Sequence, residues 1–163
     1  MLTRLDFGNS VLAGLPVYSV RRLQSVLNAA ARLTYHLRRS DHITDTLAFF
    51  NWLRLPDRVQ FEIAILTYKV LHGLAPQYLG PLNRVADLPD RRALRYSGTT
   101  SRLVVPPVRL STVVNRALPV VGPRIWNDLS ADVTSAESLS TFRHRLKTHL
   151  FTKSFPGYFL NVK

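Results

Sequence analysis

A chain of 163 residues with 46% hydrophobic content carries enough apolar side chains for one core, and 22 basic against 10 acidic residues leave a formal charge of +12. The absence of cysteine excludes disulfides, zinc knuckles and thiol nucleophiles in one step. No stretch approaches the ~20 apolar residues of a membrane span, and the first residues lack a signal-peptide pattern, which reads as an intracellular, soluble protein.

Thr3 to Ala13 reads as the tail of a helix closed by Gly14 and Pro16, with Leu2, Leu5, Val11 and Leu12 in need of a covering surface. An amphipathic helix is predicted from Val17 to about Leu37. In projection Leu23, Val26, Leu27, Ala30, Leu33 and Leu37 form its apolar face, opposite Arg21, Ser25, Asn28, Arg32, Tyr35 and Arg39. Thr44 is a candidate cap for a short helix through Phe50. Pro56 at a first helical position and Gly73 just past a last one frame a further helix. Its apolar residues run almost all round, as in a central helix packed by several neighbours.

Between Gly80 and Ser101 the composition turns polar, so 81–101 is predicted as a linker between a helical subdomain (1–80) and a second one (102–163). Leu103-Val104-Val105 and Ala117 to Val121 are short apolar runs closed by prolines, suited to edge strands of a small hairpin. Arg124 to Leu129 is expected to make one helical turn around Trp126. Ser138 caps a last helix to about Phe151, with Leu139, Phe142, Leu146 and Leu150 facing inward. The predicted class is mainly α (α+β): five or six helices with a small β-hairpin.

Two-metal nucleotide transfer needs neighbouring carboxylates, and no two acidic residues are adjacent in this chain. Asp87 with Asp90 and Asp128 with Asp132 are among the closest acidic spacings, beside proline and helix-end signals that suit turns and solvation. The five histidines never pair at i, i+4, no nucleophile elbow surrounds Ser101 or Ser111, and the seven glycines form no phosphate-cradling loop. No catalytic residue, metal site or cofactor is expected.

The sequence does offer basic residues interleaved with aromatic ones. Eighteen of the 22 basic residues are arginines, whose planar fork matches phosphate oxygens and stacks on bases. Arg21, Arg22, Arg32, Arg38 and Arg39 flank Tyr35 and His36, and Arg91, Arg92, Arg95 and Arg102 flank Tyr96. Such clusters grip phosphates while a ring stacks on a base. The alternatives are arginines that merely solvate the surface and tyrosines in ordinary half-buried packing; Trp52 and Trp126 read as core anchors.

Five segments carry a resemblance. They are Leu23-Gln-Ser-Val-Leu-Asn-Ala-Ala-Ala-Arg-Leu33; Asn51-Trp-Leu-Arg-Leu-Pro-Asp-Arg-Val59; Tyr68-Lys-Val-Leu-His-Gly-Leu-Ala-Pro-Gln-Tyr-Leu79; Gly122-Pro-Arg-Ile-Trp-Asn-Asp-Leu129; and Ser138-Leu-Ser-Thr-Phe-Arg-His-Arg-Leu-Lys-Thr-His-Leu-Phe151. In this order they resemble the region after the polymerase core in non-LTR retrotransposon reverse transcriptases of the jockey and chicken-repeat type. Phe7-Gly-Asn-Ser10 departs from the family's Tyr-Cys-Asn-Ser, and Ser130 stands where the family favours proline.

The resemblance implies a C-terminal piece, thumb and beyond, of an RNA-directed DNA polymerase, with 1–80 thumb-like. The palm's Tyr-x-Asp-Asp signature is absent here, so this chain alone is not expected to polymerise. The implied role is to hold template RNA, an RNA–DNA duplex or target DNA against the upstream reverse transcriptase core, in the nucleus with a cytoplasmic ribonucleoprotein phase. Two alternatives stand beside it: a protein-interaction module docking on that core, and a non-functional truncated copy.

Overall fold

The computed structural model describes residues 12–87, 101–108 and 116–158. Among them are six α-helices: α1 (Val17–Thr34), α2 (Ile43–Phe49), α3 (Leu55–Leu71), α4 (Leu118–Asn127), α5 (Ala131–Thr134) and α6 (Leu139–Ser154). The mainly helical class is therefore the observed one. The expected helix before Gly14 falls almost wholly outside the described residues, although Gly14 does turn the chain with φ +68°.

The first three helices end by one device. Beyond the last turn of each, a residue enters the left-handed region: His36 (φ 51°), Asn51 (φ 55°) and Gly73 (φ 67°). The next N–H then reaches back to an orphan carbonyl, Leu37 to Arg32, Trp52 to Leu47 and Leu74 to Lys69. This shortens α1 relative to the sequence prediction, which ran to Leu37. It also swings Leu37, Arg38 and Arg39 out of the helix. The start of α2 differs too: His42 is the N-terminal boundary residue and makes no side-chain cap, so Thr44 lies inside the first turn. At α6 the cap is the expected one, with the Ser138 hydroxyl accepting from the Thr141 N–H at 3.1 Å.

The long helix α3 is central, packed by α1, α4 and α6. It buries Leu55, Val59, Ile63, Ala64, Ile65, Thr67 and Tyr68. Tyr68 and Phe142 stack at 4.5 Å between centroids, Trp126 and Phe142 at 5.6 Å, and the Tyr68 hydroxyl donates to the Ala136 carbonyl. Apolar residues from both sides of 81–101, among them Ala31, Leu47, Ala64, Trp126 and Leu146, belong to one cluster. Residues 12–80 and 102–158 thus share a core.

The face of α1 differs from its projection. Leu27 and Ala31 are buried, but Val26 and Leu33 are 57% and 73% exposed. The buried side includes Gln24, whose amide oxygen accepts from the Leu55 N–H at 2.7 Å. That N–H is one of the orphan donors at the start of α3, and satisfying it turns α1 by roughly a quarter turn from the orientation its leucines suggest.

The hairpin is not found among the described residues. Ala117 to Val121 leads into α4, where Pro119 fits the first turn, whose N–H groups have no helical acceptor. Leu103 makes a single antiparallel bridge with Arg84, flanked by Val85 N–H to Arg102 O and Val104 N–H to Asn83 O. On its other side Asn127 acts as a substitute strand: its carboxamide accepts from the Leu103 N–H and donates to the Leu103 carbonyl, both at 2.9 Å. Trp126 Nε1 donates to the Ser101 carbonyl at 2.8 Å. The Trp-Asn pair therefore fixes the returning chain against α4.

Helix α4 lies so close to α3 that a Cβ on Gly122 would stand 2.7 Å from Thr67 Oγ1. That oxygen is buried and donates to the Ile63 carbonyl, so it has no inexpensive retreat. Gly122→Ala is expected to destabilise the fold by about 1–3 kcal/mol, despite alanine's better helix propensity. Thr67→Ala should recover part of the loss and Thr67→Ser, which keeps the oxygen, none. Urea titration of the single and double variants measures this, and additive effects would contradict the contact.

Candidate nucleic-acid interface

The sequence-predicted residues separate into three groups. Arg21 and Arg22 on α1, and Arg38 and Arg39 beyond it, are exposed. Arg91, Arg92 and Arg95 lie outside the described residues. Arg32 is drawn inward: it is half-buried, its guanidinium donates to the Asp41 carbonyl at 3.5 Å, and its Nε is buried without a hydrogen-bond partner. One of its donors thus faces the 36–41 turn, and the side chain is less open to a phosphate than those of Arg21, Arg22, Arg38 and Arg39. Within that turn the Asp41 carboxylate accepts from the Arg38 N–H at 2.7 Å.

Tyr35, at the C-terminal end of α1, stacks on Phe50 with centroids 3.6 Å apart and meets Trp52 edge-on at 5.8 Å. One face of the tyrosine is therefore covered by protein, and the packing alternative describes that face. The ring beyond it is free: Phe49 meets Phe50 edge-on at 4.9 Å and is 68% exposed. Two consecutive phenylalanines at the end of α2 cannot both turn inward, because successive helical side chains point in different directions.

Tyr35, Leu37, Asp45, Thr46, Ala48, Phe49, Phe50 and Tyr158 line an open groove of about 580 Å³. Tyr158, following α6, donates its hydroxyl to Asp45 Oδ1 at 2.5 Å. This hydrogen bond, more than desolvation or the nearby charge, raises the Tyr158 pKa above its ordinary value. The guanidinium of Arg54 lies over Phe155 at 5.1 Å, and Phe155 meets Tyr158 edge-on. Phe49, Phe50, Asp45 and Tyr158 were not singled out from the sequence. The Phe-Phe doublet at a helix end was the available signal, whereas the Asp45–Tyr158 pairing had none.

The site is thus an aromatic groove beside two exposed arginines on a short, tied turn. Its chemical capability is to stack a planar group and to neutralise a neighbouring anion. Among the described residues no group of three His, Cys, Asp or Glu is placed to hold a metal ion, and no helix is long and apolar enough to cross a membrane. No family model matches the chain, and neither do any curated protein sequences or solved structures.

Proposed function

We propose that this chain is the nucleic-acid-binding C-terminal portion of a non-LTR retrotransposon-type reverse transcriptase, holding template RNA or target DNA without polymerising by itself. The observation that carries the binding role is the exposed Phe49 ring and its groove, next to Arg38 and Arg39, in a chain of net charge +12. Phosphates are attracted by the arginines and unpaired bases by the ring, which is how single strands are held without a regular duplex. The family itself rests on the five sequence segments, and nuclear action with a cytoplasmic ribonucleoprotein phase follows from it.

The test is binding of single-stranded RNA followed by fluorescence anisotropy over a salt series. The expected log–log slope is about −0.7 for each phosphate contacted. A flat response, or no binding by folded protein at ~50 mM salt, overturns the reading.

One observation favours the protein-docking alternative. On the outer side of α1, Tyr18, Val26 and Leu33 are 67%, 57% and 73% exposed and follow one another at helical spacing. Such a stripe suits the upstream polymerase core as a neighbour. The groove shares no side chain with this stripe, but exposed Arg22 stands between Tyr18 and Val26 and can serve only one of the two contacts.

A further inference from the structure

We propose that the Asp45 groove receives one unpaired guanine from single-stranded nucleic acid, stacked against Phe49 with its Watson–Crick edge toward the Asp45 carboxylate. This rests on the nucleic-acid reading above and narrows it to a base and an edge. The groove has the two surfaces such a ligand needs. Its walls are rings: the exposed Phe49, and Phe50 held at right angles to it by the Tyr35 stack. Its polar group is a carboxylate exposed at the rim, not an amide or a hydroxyl alone.

The chemistry of that carboxylate selects the base. An ionised Asp only accepts hydrogen bonds. Tyr158 supplies one donor to Oδ1, and among the described residues nothing donates to Oδ2. The best partner presents adjacent donors and no facing acceptor. Guanine does so with N1–H and its N2 amino group, forming a bidentate, charge-assisted pair. Cytosine and adenine each offer one amino group beside a ring-nitrogen acceptor. Uracil's single N3–H lies between two carbonyl oxygens that the carboxylate repels.

The Tyr158 hydroxyl orients the carboxylate, and Arg38 and Arg39, directly after the groove residue Leu37, supply positive charge for the flanking phosphates. Their charge also argues against the other familiar occupant of an aromatic groove with an acidic rim, a methylated lysine on a basic peptide. Parallel contact between Tyr35 and Phe50 further occupies ring faces that a cation cage would need.

The test uses the full chain and a uridine octamer as baseline, compared with octamers carrying one central guanosine, adenosine, cytidine or inosine. A deoxythymidine series with a single deoxyguanosine distinguishes RNA from DNA as the source. The guanosine octamer is expected to bind about tenfold more tightly than the uridine octamer, in line with the discrimination of a bidentate pair. Inosine, which lacks the N2 amino group, should lose most of that advantage, and 7-deazaguanosine, altered on the opposite edge, should keep it.

Asp45→Asn should abolish the preference for guanosine over adenosine, cytidine and inosine, and Tyr158→Phe should weaken it. Equal affinity for all octamers overturns the guanine assignment but leaves general binding intact. Absence of binding to every oligonucleotide overturns both. Binding of a trimethyllysine peptide in preference to the guanosine octamer also overturns the assignment. The base series needs only the unaltered protein, so the outcome does not depend on any variant folding.

Discussion

Replacing Phe142 with alanine is expected to lower the free energy of unfolding by about 3–5 kcal/mol, a large share of what a domain of this size possesses. The side chain is fully buried and stacked between Tyr68 of α3 and Trp126 of α4, so truncation empties the point where three helices meet. The loss combines the transfer free energy of the ring with a cavity that two large, rigid neighbours cannot collapse to fill. Phe142→Leu keeps most of the volume and should cost markedly less. Urea unfolding followed by circular dichroism gives both values. A loss below ~1 kcal/mol for the alanine variant would place the centre of the core elsewhere.

The second large effect concerns binding. Changing Arg21, Arg22, Arg38 and Arg39 together to glutamate is expected to reduce RNA affinity about 100-fold at moderate salt and to flatten its salt dependence. All four side chains are exposed, so the circular dichroism spectrum should stay that of the parent. Arg32 is left out of the set because it is half-buried and its guanidinium faces the Asp41 carbonyl. The comparison is a variant with Arg143 and Lys147, also exposed but on α6, changed to glutamate. Charge for charge, that variant should lose much less. Equal losses would mean that affinity comes from the net charge spread over the surface rather than from the α1 side of the molecule.

These effects differ in how far they were legible beforehand. The inward set of α6 was plain, because Ser138 and the spacing of Phe142, Leu146 and Leu150 are local signals that no distant residue contradicts. The same holds for the end of α3, where Gly73 adopts the left-handed conformation that few residues tolerate. The arginines beside Tyr35 were also evident, since charge can be counted without knowing the fold.

Other features depended on partners far along the chain. Gln24 faces inward on α1 because a backbone donor at Leu55 needs it, and no projection of α1 alone contains that donor. Val120 and Val121 suit a strand by propensity, yet Gly122 lets this segment approach Thr67 as a helix, and tertiary packing outweighs the preference. Tyr158 reaches Asp45 across the whole fold and completes a groove whose members are scattered in sequence.

By itself, then, the sequence determined the helical class, the central helix with its Gly73 stop, the Ser138 cap and the surplus of arginine, all of which arise from periodicity, cap chemistry or charge over short spans. Only the tertiary structure decided which side of α1 is buried, which arginine turns inward and which rings remain outside. Each of those depends on satisfying a backbone donor or filling a volume between segments remote in the chain.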